Sequence, residues 1–136
     1  MPCFASEGAL HREPQAQYRN WIEPAGAVQL LRLLADKPPI SIEHQKLLFG
    51  WMTPARHTAR LDANLPDDFL VAHKSGTSDV DAGLAQATND IGLIPLPDGR
   101  ALAIAVFVTD SRADQTIREQ INARIAKAAY DASFKK

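Results

Sequence analysis

From Ala101 to Val108 the chain carries no polar side chain. As a β-strand, such a run is apolar on both faces and cannot lie against water on either side. Whatever fold forms must therefore cover both sides of this strand. Alternation puts Leu102, Ile104, Val106 and Val108 on one face, and Ala101, Ala103, Ala105 and Phe107 on the other. The small residues predict close packing of a helix against the second face. Pro97-Asp98-Gly99 reads as a tight turn, and Ala87 to Leu96 as the strand it pairs with in a hairpin.

The covering elements can be read from the remaining periodicity. Residues 1–23 are polar and irregular and read as a long ordered loop. Pro24 suits the first turn of a helix. Val28, Leu31 and Leu34, with Leu30 and Leu33, give that helix a broad apolar face, and Lys37-Pro38-Pro39 stops it. Ser41 is a candidate N-cap for a second helix reaching Met52, with Leu47, Leu48, Trp51 and Met52 at helical spacing. Residues 55–66 read as a short helical turn, and a strand runs from about Phe69 to Gly76. Ser78 to Gly83 reads as a polar turn. Ala113, Ile117, Ile121, Ile125 and Ala128 then recur at helical spacing from Ser111, a possible cap, to about Phe134. This helix is the candidate cover for the alanine face, and its isoleucines, like Trp21 and Trp51, read as core. The order is helices, three sequential antiparallel strands, then a terminal helix: an α+β pattern.

Composition excludes several classes of function. At 136 residues the chain fits one domain. A net charge of -1 gives no reason to expect a nucleic-acid or anionic-membrane partner. No apolar run approaches a bilayer span. The single cysteine, Cys3, cannot form an internal disulfide, and four scattered histidines give no metal-ligand spacing, so neither metal nor cofactor is expected. The first residues lack the basic and apolar segments of a secretory signal. As written, the chain is expected in the cytoplasm.

The most informative motif is His73-Lys74-Ser75-Gly76-Thr77-Ser78, where a strand ends in a cation, hydroxyls and a glycine. This is the K-[ST]-G pattern of serine β-lactamases and penicillin-binding proteins. Its surroundings extend the match: Gln17-Tyr18-Arg19-Asn20-Trp21, Leu47-Leu48 with Trp51-Met52, Arg60-Leu61 with Leu65-Pro66, and Ala87-Thr88-Asn89-Asp90-Ile91-Gly92. Leu96-Pro97-Asp98-Gly99, Val108-Thr109-Asp110-Ser111 and Ala129-Tyr130-Asp131 continue it. Together they resemble the C-terminal part of a class A serine β-lactamase, specifically the extended-spectrum branch with a histidine in its Ω-loop.

The resemblance implies a single partial β-lactamase/transpeptidase-like domain. Residues 1–23 would be an Ω-loop remnant, 24–66 a helical segment, and 67–136 the sheet with its terminal helix. It implies that Glu7 is the general base that activates a deacylating water, and that His11 helps hold that water. Lys74 would orient the substrate, a β-lactam, while Ser75 and Thr77 hydrogen-bond its carboxylate. The Thr77 N–H would serve an oxyanion hole. Gly76 would permit close approach of ligand, and Arg60 would reach the same carboxylate from behind. His57 stands where the family usually has a glycine.

The other half of that chemistry is not in this sequence. The only S-x-x-K is Ser133 to Lys136, on the wrong element, and Ser78-Asp79 is followed by Val80 rather than Asn. Leu30, Leu34, Leu47 and Trp51 are expected to present apolar surface, suited to a missing N-terminal half or to self-association. Three readings stay open: an inactive portion of a serine β-lactamase, a non-catalytic binding or complementing half of a split enzyme, and a penicillin-binding-type acyl-serine protein. An intact member of the family would be periplasmic or secreted.

Overall fold

The computed structural model describes residues 7–10, 12–13, 16, 19, 21–53, 58–66 and 68–133. Three helices precede the sheet: α1 (Glu7–Leu10), α2 (Pro24–Asp36) and α3 (Ile42–Met52). The strands are β1 (Ala72–Thr77), β2 (Val80–Asp81), β3 (Leu84–Pro95) and β4 (Ala101–Ser111), and helix α4 (Gln115–Ala132) closes the chain. All pairing is antiparallel, with β3 at the centre: β1 and β2 pair with it, and so does β4.

Local chemistry accounts for most element ends. Pro24 occupies the first turn of α2, and the Lys37 N–H closes its last turn on the Leu33 carbonyl at 3.0 Å. Ser41 caps α3, its hydroxyl accepting from the His44 N–H at 3.3 Å. The buried Gln45 side chain donates to the Leu34 and Ala35 carbonyls at 2.6 and 3.2 Å, tying α3 to the end of α2. The β3–β4 turn has the form of a type I turn followed by a left-handed residue. The Gly99 N–H donates to the Leu96 carbonyl at 3.0 Å, and Gly99 has φ +84°.

Several expectations are corrected. The turn at 78–83 contains a strand, β2, whose two residues pair Val80 with Ala85 and Asp81 with Leu84 around Ala82-Gly83. Both turn residues have positive φ, +46° and +75°, which suits a two-residue hairpin. Helix α1 lies inside the segment read as loop. Residues 58–66 form turns rather than a helix. The cap residue of α4 is Asp114, because Ser111 is still in β4.

The terminal helix also packs otherwise than its isoleucines suggest. Ile117, Ile121 and Ile125 are exposed, while Arg118, Asn122, Ala123, Ala126 and Tyr130 are buried. On the branched face of β4, Ala126 and Tyr130 of α4 join Ile104, Val106, Ile94, Leu96, Leu61, Leu65 and Val71 in one cluster. The alanine face of β4 looks instead toward α2, whose Val28 and Ala35 line a cavity with Ala101 and Ala103. Trp21 and Trp51 are not core; they are 64% and 76% exposed. Leu30 and Leu47 are exposed as expected, whereas Leu34 is half-buried.

One face of β3 carries Thr88, Asp90, Gly92 and Ile94, all buried. It is polar near the end of β1 and apolar toward the hairpin. The facing side of α4 grades alike, from Arg118 and Asn122 to Ala126 and Tyr130. The Arg118 Nε donates to the Thr88 hydroxyl at 2.9 Å, and the Asn122 amide donates to the Thr88 carbonyl at 3.1 Å.

Gly92 lies opposite His73, and a Cβ at position 92 would fall 2.7 Å from both the Ala72 carbonyl oxygen and the His73 Cβ. Both obstacles belong to the paired strand and cannot swing away. Gly92→Ala is therefore expected to destabilise the chain by about 1–3 kcal/mol or more, read as a lowered urea midpoint. An unchanged midpoint would refute the close approach of β1 and β3.

Candidate functional site

Lys74, Ser75, Gly76 and Thr77 form the exposed end of β1, which pairs on one side only among the described residues. Alternation puts His73, Ser75 and Thr77 on one face of the strand, and Lys74 on the other. The Lys74 Nζ donates to the Ser75 carbonyl at 2.8 Å, so its ammonium is folded against the edge itself.

Arg60 reaches this edge from the preceding segment. Its guanidinium is buried, donating through Nη1 to the Asn89 carbonyl at 2.9 Å and the Gly76 carbonyl at 3.3 Å. Through Nη2 it donates to the Thr77 hydroxyl at 2.6 Å and lies 3.4 Å from the Glu119 carboxylate. Because the Thr77 oxygen accepts from Arg60, its own proton is free to be donated elsewhere. An exposed hydroxyl backed by a buried cation is a good receiver for an anionic oxygen. The structure thus brings Arg60, Ser75, Gly76 and Thr77 together, with Lys74 on the same strand end. The backbone of Glu7 lies in α1, while its side chain, His11 and His57 lie outside the described residues.

Behind the edge lies a cluster that the sequence reading did not single out. His73 is buried, and its Nδ1 stands 2.8 and 3.0 Å from the two oxygens of Asp90, which has no solvent exposure. Carboxylate oxygens accept, so Nδ1 donates. The Leu61 N–H also reaches Asp90, at 3.4 Å. On the other side of the ring, Nε2 lies 3.7 Å from an oxygen of the buried Asp62 and makes no hydrogen bond among the described residues. Asp62 accepts from the Thr58 N–H at 2.9 and 3.0 Å and from the Thr58 hydroxyl. The hint in the sequence was Asp90 itself, a charge at an inward position of an otherwise apolar strand face. Asp62, His73 and Asp90 do not form a metal site: no group of three or more His, Cys, Asp or Glu placed to hold an ion occurs among the described residues.

Burial disfavours the charged imidazole of His73 and Lys74 adds to that, but the Asp90 hydrogen bond and the charges of Asp90 and Asp62 outweigh them. The net effect raises its pKa above the ordinary 6.5.

A family model described as "Beta-lactamase enzyme family" matches residues 5–133. This chain belongs to the β-lactamase enzyme family. It is 43% identical over 133 residues to the extended-spectrum β-lactamase PER-1 of Pseudomonas aeruginosa, covering 97% of this chain and 43% of that protein. It is 35% identical to β-lactamase VEB-1 of the same organism, covering 93% of this chain and 44% of the relative. The solved structure of the TLA-3 extended-spectrum β-lactamase superposes with a TM-score of 0.89 at 39% identity, over 97% of this chain and 49% of that one. A class A β-lactamase from Bacteroides cellulosilyticus superposes at 0.86 with 32% identity, over 96% of this chain and 47% of that one.

The fold is therefore that of a class A β-lactamase C-terminal portion, and the chain spans less than half the length of these relatives. A β-lactamase portion built this way holds a buried ion cluster directly behind its K-S-G edge.

The raised pKa of His73 fixes the sign of a pH effect. The folded state holds the imidazole proton more tightly than the unfolded chain, so this stabilisation is complete below the unfolded value near 6.5. It is lost as pH rises through the higher folded-state value. Urea midpoints are expected to fall as pH rises above about 6.5, and His73→Gln is expected to flatten that fall. Midpoints that rise there, or a fall unchanged by His73→Gln, would contradict the assignment.

Proposed function

We propose that this chain supplies the carboxylate-receiving half of a β-lactam site and does not hydrolyse β-lactams by itself. The observation that carries the reading is the 2.6 Å bond from the buried Arg60 to the Thr77 hydroxyl, which leaves that hydroxyl's proton available at an exposed edge. In this reading the β-lactam carboxylate lies along the end of β1. Ser75 and Thr77 donate to it, Arg60 supplies positive charge from behind, and Lys74 swings from the Ser75 carbonyl toward the ligand. Gly76 leaves the approach open: nothing lies within 4 Å of a Cβ built there. Glu7 would act as general base for a deacylating water that His11 helps to hold, an assignment supported by sequence resemblance alone.

Acylation needs a nucleophile activated by a neighbouring base. The only S-x-x-K in this sequence, Ser133 to Lys136, comes after the K-S-G strand and at the end of the terminal helix, whereas the family pattern has it upstream of the Ω-loop. The purified 136-residue chain is expected to bind benzylpenicillin weakly in an equilibrium titration and to give no turnover of a chromogenic cephalosporin. Arg60→Ala is expected to weaken the binding about tenfold or more, since a hydrogen bond to a charged group contributes about 1.5–3 kcal/mol. Steady turnover would overturn the inactive reading. Binding that is unchanged in Arg60→Ala would overturn the receiving site.

The exposed Leu30, Leu47 and Trp51 favour a second reading, in which the chain is the complementing half of a two-chain enzyme. Adding a family N-terminal fragment that carries S-x-x-K would then restore hydrolysis. No recovery at saturating fragment would dismiss this reading.

A further inference from the structure

We infer that His73 is a positioning residue for the receiving edge: clamped between Asp90 of β3 and Asp62 of the segment before β1, it ties the protonation of a buried imidazole to the placement of Arg60 beneath Thr77. The inference rests on the carboxylate-receiving reading for its functional meaning, but its physical content can be tested apart from it.

The connection runs through Asp62, which takes part in two arrangements at once. Its carboxylate accepts from the N–H and hydroxyl of Thr58, and the Thr58 oxygen accepts in turn from the Arg60 N–H at 3.2 Å. Thr58 and Asp62 thereby close a short turn with Arg60 inside it. The same carboxylate faces His73 Nε2 at 3.7 Å. Along one face of β1, then, Asp62 stands under His73 and Arg60 stands under Thr77, with Ser75 between them and paired across to Asp90.

Protonated, Nε2 presents an N–H to Asp62 and draws the turn against the strand. Deprotonated, the ring keeps its Nδ1 bond to Asp90 but turns a lone pair toward the Asp62 carboxylate in a nearly dry site. That contact changes from attraction to repulsion, and the low-dielectric surroundings magnify the change. Asp90 cannot yield, because it is fully buried in the central strand and also accepts from the Leu61 N–H. The turn bearing Asp62 and Arg60 is not part of any strand or helix and is the element left to shift. Any shift there is transmitted to the 2.6 Å bond beneath Thr77.

The charges acting on the imidazole come from each side of it: Asp90 from β3, Asp62 from the turn, and Lys74 from its own strand. Helix α3 also packs on β1, but its Glu43, His44 and Lys46 are exposed and none of them acts on His73.

The test is an NMR titration of the isotope-labelled full chain from about pH 5 to about pH 9, following the His73 ring and the backbone amides of Ser75, Gly76 and Thr77. The expected result is that all three amides move with one midpoint, equal to that of the His73 ring. In His73→Gln they are expected not to move over the same range. If that variant does not fold, the wild-type comparison of midpoints decides alone. Amides that stay still while His73 titrates, or that move identically in His73→Gln, overturn the inference.

Benzylpenicillin separates the two layers. Its affinity is expected to fall about fivefold or more once His73 is deprotonated, and bound ligand must by linkage raise the His73 midpoint. Affinity independent of pH, or a midpoint unmoved by bound ligand, overturns the link between His73 and reception. Absence of binding at every pH removes the receiving function, and the amide midpoints then still decide whether His73 positions the edge.

Discussion

A carboxylate with no solvent exposure, Asp90, lies in the middle of the central strand, and much of the molecule is arranged to meet its demands. An unmatched charge there would be expelled or neutralised. The chain supplies an imidazole from β1 and a backbone N–H from the 58–66 segment. Those two partners draw together the strand on one side and the turn on the other. The same turn carries Arg60, so the position of the cation under the exposed edge follows from the way the buried anion is satisfied. A buried ion pair of this sort adds little net stability compared with apolar packing, but breaking it is expensive. Its effect is to fix one arrangement of β1, β3 and the turn.

The second organising fact is the division of the interior into two halves. Toward the hairpin, Ile94, Leu96, Ile104, Val106 and Tyr130 form an ordinary hydrophobic cluster, with Phe69 meeting Tyr130 edge-on at 5.4 Å. Toward the K-S-G end, the same layer between β3 and α4 is filled by Thr88, Asp90, Arg118 and Asn122. The apolar half holds the sheet and helix together. The polar half holds groups in place, since each hydrogen bond there has a direction as well as an energy. A receiving edge needs placement more than it needs adhesion, and it sits at the polar end.

Much of this could be read from the sequence, and the failures have particular causes. Pro24, Ser41 and Pro97-Asp98-Gly99 mark their elements by backbone chemistry that neighbours cannot override, and each element stands where they put it. Strand β2 escaped notice because two residues carry no periodicity. The isoleucines of α4 misled because spacing reports which residues share a stripe, not which stripe is buried. Arg118 and Asn122 took the inward side because β3 presents Thr88 there, a fact that belongs to the partner strand. Arg60 was found through resemblance, whereas the Asp62–His73–Asp90 cluster spans three separate stretches of chain and no local pattern joins them. Asp90 was the one legible sign, a charge where alternation called for an apolar residue.

The outer edge of β4 has consequences for how the molecule behaves in a crowd. Among the described residues β4 pairs only with β3, and its other edge offers up to eleven residues of backbone with no proline or lysine to interrupt them. Ile117, Ile121 and Ile125 run exposed along α4, the helix packed against this strand. An open backbone edge close to an apolar ridge is a template on which a further strand can be laid. The β1 edge, by contrast, is short and carries Lys74, which discourages such growth. Among the described residues the sheet is therefore more open to extension at β4 than at β1. Self-association of this chain is expected to begin at the β4 edge and to grow with its concentration.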